Sequence, residues 1–115
     1  TSLKWKSDFI DYFRDDKYKN MKILEVGSSL GASSRILSFL FEKVIAVDTL
    51  SDRHEKSKKL NYDRNNIEFD FFMHTWDESY YDTGVKERIK KRQNIEVSDN
   101  IIKFAFLISS FVIFS

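Results

Sequence analysis

Residues 21–41 read MKILEVGSSLGASSRILSFLF, and their pattern decides the fold. Residues 22–26 are apolar from Ile23 on, apart from Glu25, as in a strand buried on both faces of a parallel sheet. Gly27 and Gly31 frame the turn Gly27-Ser28-Ser29-Leu30-Gly31. Ser33 and Ser34 follow where an N-cap or first-turn hydroxyl belongs. From 32 to about 42 the chain carries Ile36, Leu37, Phe39, Leu40 and Phe41, apolar on nearly every side, which predicts a helix buried under a sheet. Strand, glycine turn and helix in that order suit a nucleotide-like ligand. Glycines let the backbone approach it, and a helix N-terminus offers N–H groups without intrahelical partners.

Working outward, the chain keeps alternating. Upstream, residues 3–14 place Trp5, Phe9 and Phe13 four apart with Ile10 beside them, one face of a helix packed on the domain edge. Residues 15–20 make a charged connection. Downstream, Val44-Ile45-Ala46-Val47 reads as a second strand ending at Asp48. Thr49 or Ser51 caps a third helix over about 52–61, polar on most faces and largely exposed. Asn65-Asn66 turns the chain into a third strand at 67–73. This order predicts βαβ units, a parallel sheet and right-handed crossovers. The expected fold is therefore α/β, a Rossmann-like parallel sheet of three to four strands with flanking helices, incomplete in extent.

A polar and aromatic loop follows, then a short basic helix over 85–92 and a turn or weak strand at 95–100. Residues 101–114, IIKFAFLISSFVIF, are almost entirely apolar. Residues 102–108 read as a fourth, central strand that Ser109-Ser110 breaks. The run is short for a membrane span and contains Lys103, so packing on the sheet is expected, with a membrane-inserting tail as the alternative.

Composition narrows the function. The chain has 115 residues, enough for one domain with a core. Its net charge of +1 implies no bulk attraction to nucleic acid or membrane. It has no cysteine, which excludes disulfides, thiolate metal sites and cysteine nucleophiles. A reducing compartment is compatible with that, and the cytoplasm is the expected location. The N-terminal residues are amphipathic and mixed in charge, so no signal peptide is expected.

Two carboxylates bracket the expected ligand site. Glu25 lies two residues before Gly27, and Asp48 lies at the end of the second strand. Adjacent strand ends of a parallel sheet are neighbours, and ligands lie across their carboxyl edge. Asp48 is placed to accept hydrogen bonds from the two hydroxyls of a ribose. The competing role is a cap for the helix that follows.

ILEVGSSLGASS followed by VIAVD resembles the cofactor-binding part of class I S-adenosylmethionine-dependent methyltransferases. The family pattern is an acid, any residue, glycine, three residues, glycine. Here it is Glu25, Val26, Gly27, then Ser28-Ser29-Leu30, then Gly31; the family often has a further glycine at the place of Ser29. The resemblance covers residues 3–77. It implies that Glu25 and the backbone of Gly27, Ser28, Ser29 and Gly31, with Ser33, hold the methionine part of S-adenosyl-L-methionine. It implies that Asp48, with Thr49 beside it, holds the ribose. It places adenine contacts at 73–77, with His74 or Thr75 as candidates. The domain is then a single truncated cofactor-binding domain over 1–115, with the cofactor half at 1–77 and a basic helix and apolar tail at 78–115.

Electrostatics agrees with that cofactor over a nicotinamide dinucleotide. A pyrophosphate on the turn is poorly served by a carboxylate two residues upstream, whereas the ammonium and sulfonium of S-adenosylmethionine are favoured by one. Gly-x-Gly-x-x-Gly is also poorly matched, since the chain reads Gly, Ser, Ala at those places.

The remaining candidates carry weaker signals. His74 is the one histidine expected at the correct edge and the candidate general base; a plain loop residue is the alternative. His74, Asp77 and Asp82 lack a diagnostic metal spacing, and no metal is expected. His54 falls on the exposed helix and reads as inert. Lys86, Arg88, Lys90, Lys91 and Arg92 read as a solvated helix face rather than a nucleic-acid patch. The expected function is methyl transfer to a small-molecule acceptor. The alternatives are a cofactor-binding remnant without catalysis and, ranked lower, an NAD-dependent oxidoreductase. The open sheet edge and the phenylalanine-rich tail predict self-association.

Overall fold

A computed structural model describes residues 3–28, 30–48, 51–71, 83–101 and 110–115. The elements are α1 (Leu3–Phe13), a 3₁₀ helix (Asp16–Asn20), β1 (Lys22–Val26), α2 (Ala32–Ser38), β2 (Lys43–Asp48), α3 (Ser51–Leu60), β3 (Ile67–Phe71), α4 (Thr83–Gln93) and β4 (Ser110–Phe114). The sheet runs β3-β2-β1-β4. β1, β2 and β3 are parallel, in registers that set Val26 beside Val47 and Asp48 beside Phe71. The architecture is an incomplete Rossmann-like α/β fold, as the alternation of apolar runs predicts.

Each face of the sheet has its own apolar core. On one face Ile23, Val44, Leu37, Phe41 and Phe13 are buried, with Phe9, Ile67, Phe111 and Ile113 packed around them. Aromatic contacts tie this layer together, including Phe9 on Phe111 at 5.4 Å and Phe13 on Phe41 at 5.4 Å between ring centroids. This is the layer of α1 and α2, and α3 joins it with the His54 ring set edge-on against Phe69. On the other face Leu24, Val26, Ile45 and Val47 pack with Ile89 of α4 and with Val97. Strands covered on both sides lose the in-out alternation of a half-solvated sheet, which is why β1 and β2 read as continuous apolar runs.

The structure corrects the sequence reading at three places. The sheet is not wholly parallel: β4 runs antiparallel to β1, pairing Ser110 with Val26 and Phe114 with Lys22. Ser110 therefore opens a strand rather than ending one, and among the described residues that strand lies at the edge of the sheet; the strand expected at 102–108 falls outside the described residues. Second, α2 stops at Ser38, four residues before the expected end. Remote groups take over the backbone there: Arg64 Nη2 and Asn66 Nδ2 both donate to the Ser38 carbonyl, at 3.0 and 2.8 Å. Phe39 is consequently turned outward, 60% exposed, with the Arg64 guanidinium 3.7 Å from its ring centroid. Third, the charged connection at 15–20 contains the 3₁₀ helix, capped by Asp15, whose Oδ1 accepts from the Lys17 amide at 3.0 Å.

The basic helix is present as α4, and three of its cations meet acids of this chain. Lys86 pairs with Asp99 at 2.7 Å, Lys90 with Glu96 at 3.0 Å, and Arg92 with the buried Asp70 of β3. No helix among the described residues is long and apolar enough to cross a membrane.

Candidate functional site

The carboxyl edge of the parallel strands gathers Gly27, Ser28, Gly31, Asp48 and the start of β4. Since Val26 stands beside Val47, the next residues along, Gly27 and Asp48, meet at neighbouring strand tips. Both turn glycines have left-handed backbone, φ 84° at Gly27 and 90° at Gly31. At Gly31 there is also no room for a side chain: a Cβ would lie 2.2 Å from Ser57 Oγ. Glycine is thus required there for conformation and for close contact with α3.

Glu25 has no solvent exposure. Strand alternation puts it on the α2 face, where Ser33 Oγ donates to one carboxyl oxygen and Ser34 Oγ to the other. Burial raises its pKa to about 7; the two serine hydroxyls pull it down, and the nearby Asp48 charge pushes it up further. Asp48 lies on the same face, two positions on from Ala46, and is 4% exposed. The two acids therefore share one face of one edge and sense each other's charge.

Three amides of the turn are engaged within the chain. Gly27 and Ser28 N–H both donate to the Val47 carbonyl, at 2.8 and 3.0 Å, and the Gly31 N–H donates to the Ser28 carbonyl at 3.1 Å. What the turn offers is close backbone approach beside two buried carboxylates.

Of the residues expected at the site, the structure brings together Glu25, Gly27, Ser28, Gly31, Ser33 and Asp48. Ser29, Thr49, His74 and Thr75 lie outside the described residues, as do Asp77 and Asp82. Three residues were missed. His54, read as exposed and inert, is half-buried against Phe69. Burial lowers its pKa and Lys58 lowers it further, while Glu55, Asp48 and Asp70 oppose the shift. Ser110, read as a strand breaker, is buried beside Val26 at this same edge. Asn61 at the end of α3 reaches the Gly31 carbonyl at 3.1 Å. None carries a local signal: each is placed by chain pairing over tens of residues. Among the described residues no cluster of acids and histidines is arranged to hold a metal.

Compared with known protein families and with characterised proteins, the chain matches none of them.

Proposed function

We propose that this chain binds S-adenosylmethionine and transfers its methyl group to a small-molecule acceptor. The observation that carries the reading is the pairing of two buried carboxylates, Glu25 and Asp48, at adjacent strand tips around a glycine turn. The residues present fit such a ligand. Glu25 near its midpoint at neutral pH is poised to ionise when a cation approaches, because an opposite charge favours the charged form. Two neighbouring acids also disfavour a pyrophosphate, which argues against a dinucleotide.

In this reading Asp48 accepts hydrogen bonds from the ribose hydroxyls. Glu25 acts from beneath the turn through its charge, and Ser33 and Ser34 hold its carboxyl in place. The glycines let the backbone lie against the ligand. When bound, the cofactor supplies a methyl group activated by a sulfonium. The chain's contribution is to hold the reactants in line and exclude water, the positioning share of catalysis. The cysteine-free composition suits a reducing compartment, and the cytoplasm is the proposed location.

One observation favours a second reading, cofactor binding without methyl transfer. The place beside β1 is filled by a strand running the opposite way, so Ser110 begins β4 where the tip of a parallel strand would end. Calorimetry with S-adenosylhomocysteine and with NAD tests the ligand. Binding of the first alone supports the proposal, and binding of NAD alone overturns it. A methyl-release assay over a panel of small acceptors then separates transfer from binding.

A further inference from the structure

Asn61 follows the last turn of α3 and is 2% exposed. Its side-chain nitrogen sits between two backbone carbonyls, donating to Gly31 O at 3.1 Å and to Ser57 O at 2.9 Å. The Gly31 carbonyl thereby takes two bonds, the lateral one from Asn61 and the helical one from the Arg35 amide at 3.0 Å. No side chain separates α3 from the turn, since a Cβ on Gly31 would come within 2.7 Å of that same Asn61 nitrogen. The Gly31 amide in turn donates to the Ser28 carbonyl, and the Ser28 amide to the Val47 carbonyl next to Asp48, so fixing Gly31 helps fix Ser28 at that strand tip.

We propose that Asn61 is a positioning residue for the ligand turn, holding the left-handed Gly31 through its carbonyl. A primary amide suits the task because one nitrogen carries two N–H groups, which a carboxylate lacks and a hydroxyl halves. The consequence for affinity rests on the methyltransferase reading; the clamp is a property of the turn alone.

Amide hydrogen exchange followed by NMR, with calorimetry on the same samples, tests both. In Asn61→Ala and Asn61→Asp, the Gly31 amide is expected to exchange about tenfold faster, with the ladder amides of β1 and β2 unchanged. S-adenosylhomocysteine affinity falls about tenfold alongside. In Asn61→Asp, protonation restores one donor, so exchange at Gly31, taken relative to wild type at equal pH, recovers on acidification. A residue that merely fills space shows no such recovery. Unchanged exchange at Gly31 in both variants overturns the clamp, as does acceleration spread evenly over the sheet. Wild-type protein that binds no S-adenosylhomocysteine, with Gly31 still loosened in the variants, overturns the functional reading and leaves the clamp standing.

Discussion

Replacing Glu25 by glutamine isolates one buried acid in the pH dependence of folding. In the unfolded chain this carboxyl titrates near 4.5, and in the folded protein burial lifts it to about 7. The native state therefore holds the proton more tightly than the unfolded state between those values. Stability is full below about pH 4.5 and falls as pH rises through about 7, where the folded state must accept a buried charge. The separation corresponds to about 3 kcal/mol. Glutamine keeps the shape, accepts from one serine hydroxyl and donates to the other, and cannot ionise. Urea unfolding of wild type and Glu25→Gln across about pH 4.5–8 gives the two curves. Their difference cancels every other titrating group and should change by about 3 kcal/mol in the variant's favour toward high pH. A difference that stays flat over that range would mean Glu25 is already ionised in the folded protein, and the account of this pocket would be wrong.

Four further outcomes follow from the geometry. Asp48→Ala should weaken S-adenosylhomocysteine binding by about 1–3 kcal/mol in calorimetry; unchanged affinity removes Asp48 from the ribose. Gly31→Ala should cost about 2–4 kcal/mol in chemical denaturation, since it meets both a left-handed backbone and Ser57 Oγ at 2.2 Å; a loss under about 0.5 kcal/mol contradicts that contact. Ser57→Ala should be neutral or mildly stabilising in the same assay, because it deletes a buried hydroxyl with no hydrogen-bond partner; a loss above about 1 kcal/mol would reveal a bond to that hydroxyl. Sedimentation should show association that grows with concentration through the uncharged β4 edge, and a single monomeric species at all concentrations would exclude it.

How much of this was legible in the sequence depends on where each signal resides. β1 and β2 were legible because continuous apolar runs bounded by glycine and charge are what two-sided burial requires, and β3 because Ile67, Phe69 and Phe71 alternate with Glu68 and Asp70 at the period of a strand. The two acids were legible as neighbours because parallel pairing brings strand tips together. The direction of β4 was not. A strand covered by Phe9 on one side and by the α4 layer on the other shows no period by which to set its ends or sense. The end of α2 was hidden for another reason: the groups that stop it, Arg64 and Asn66, lie 26 and 28 residues further along. Glu25 was read as facing a ligand; the serines that enclose it were recognised, but as caps of the helix. Asn61 was assigned to a solvated helix because residues 52–61 are polar on most faces; the carbonyl it reaches, that of Gly31, lies 30 residues back.

The Val47 carbonyl, which takes two amides from the bend after β1, has a bearing on how a ligand would enter. That shared acceptor staples one strand tip to the next just past the last rung between them. Pulling the two acids apart would break both bonds at once in a dry interior, so their spacing is set at folding. Adjustment to a guest must then come from the helical flank, and the sheet side acts as a fixed anvil with no ordering cost at the moment of capture.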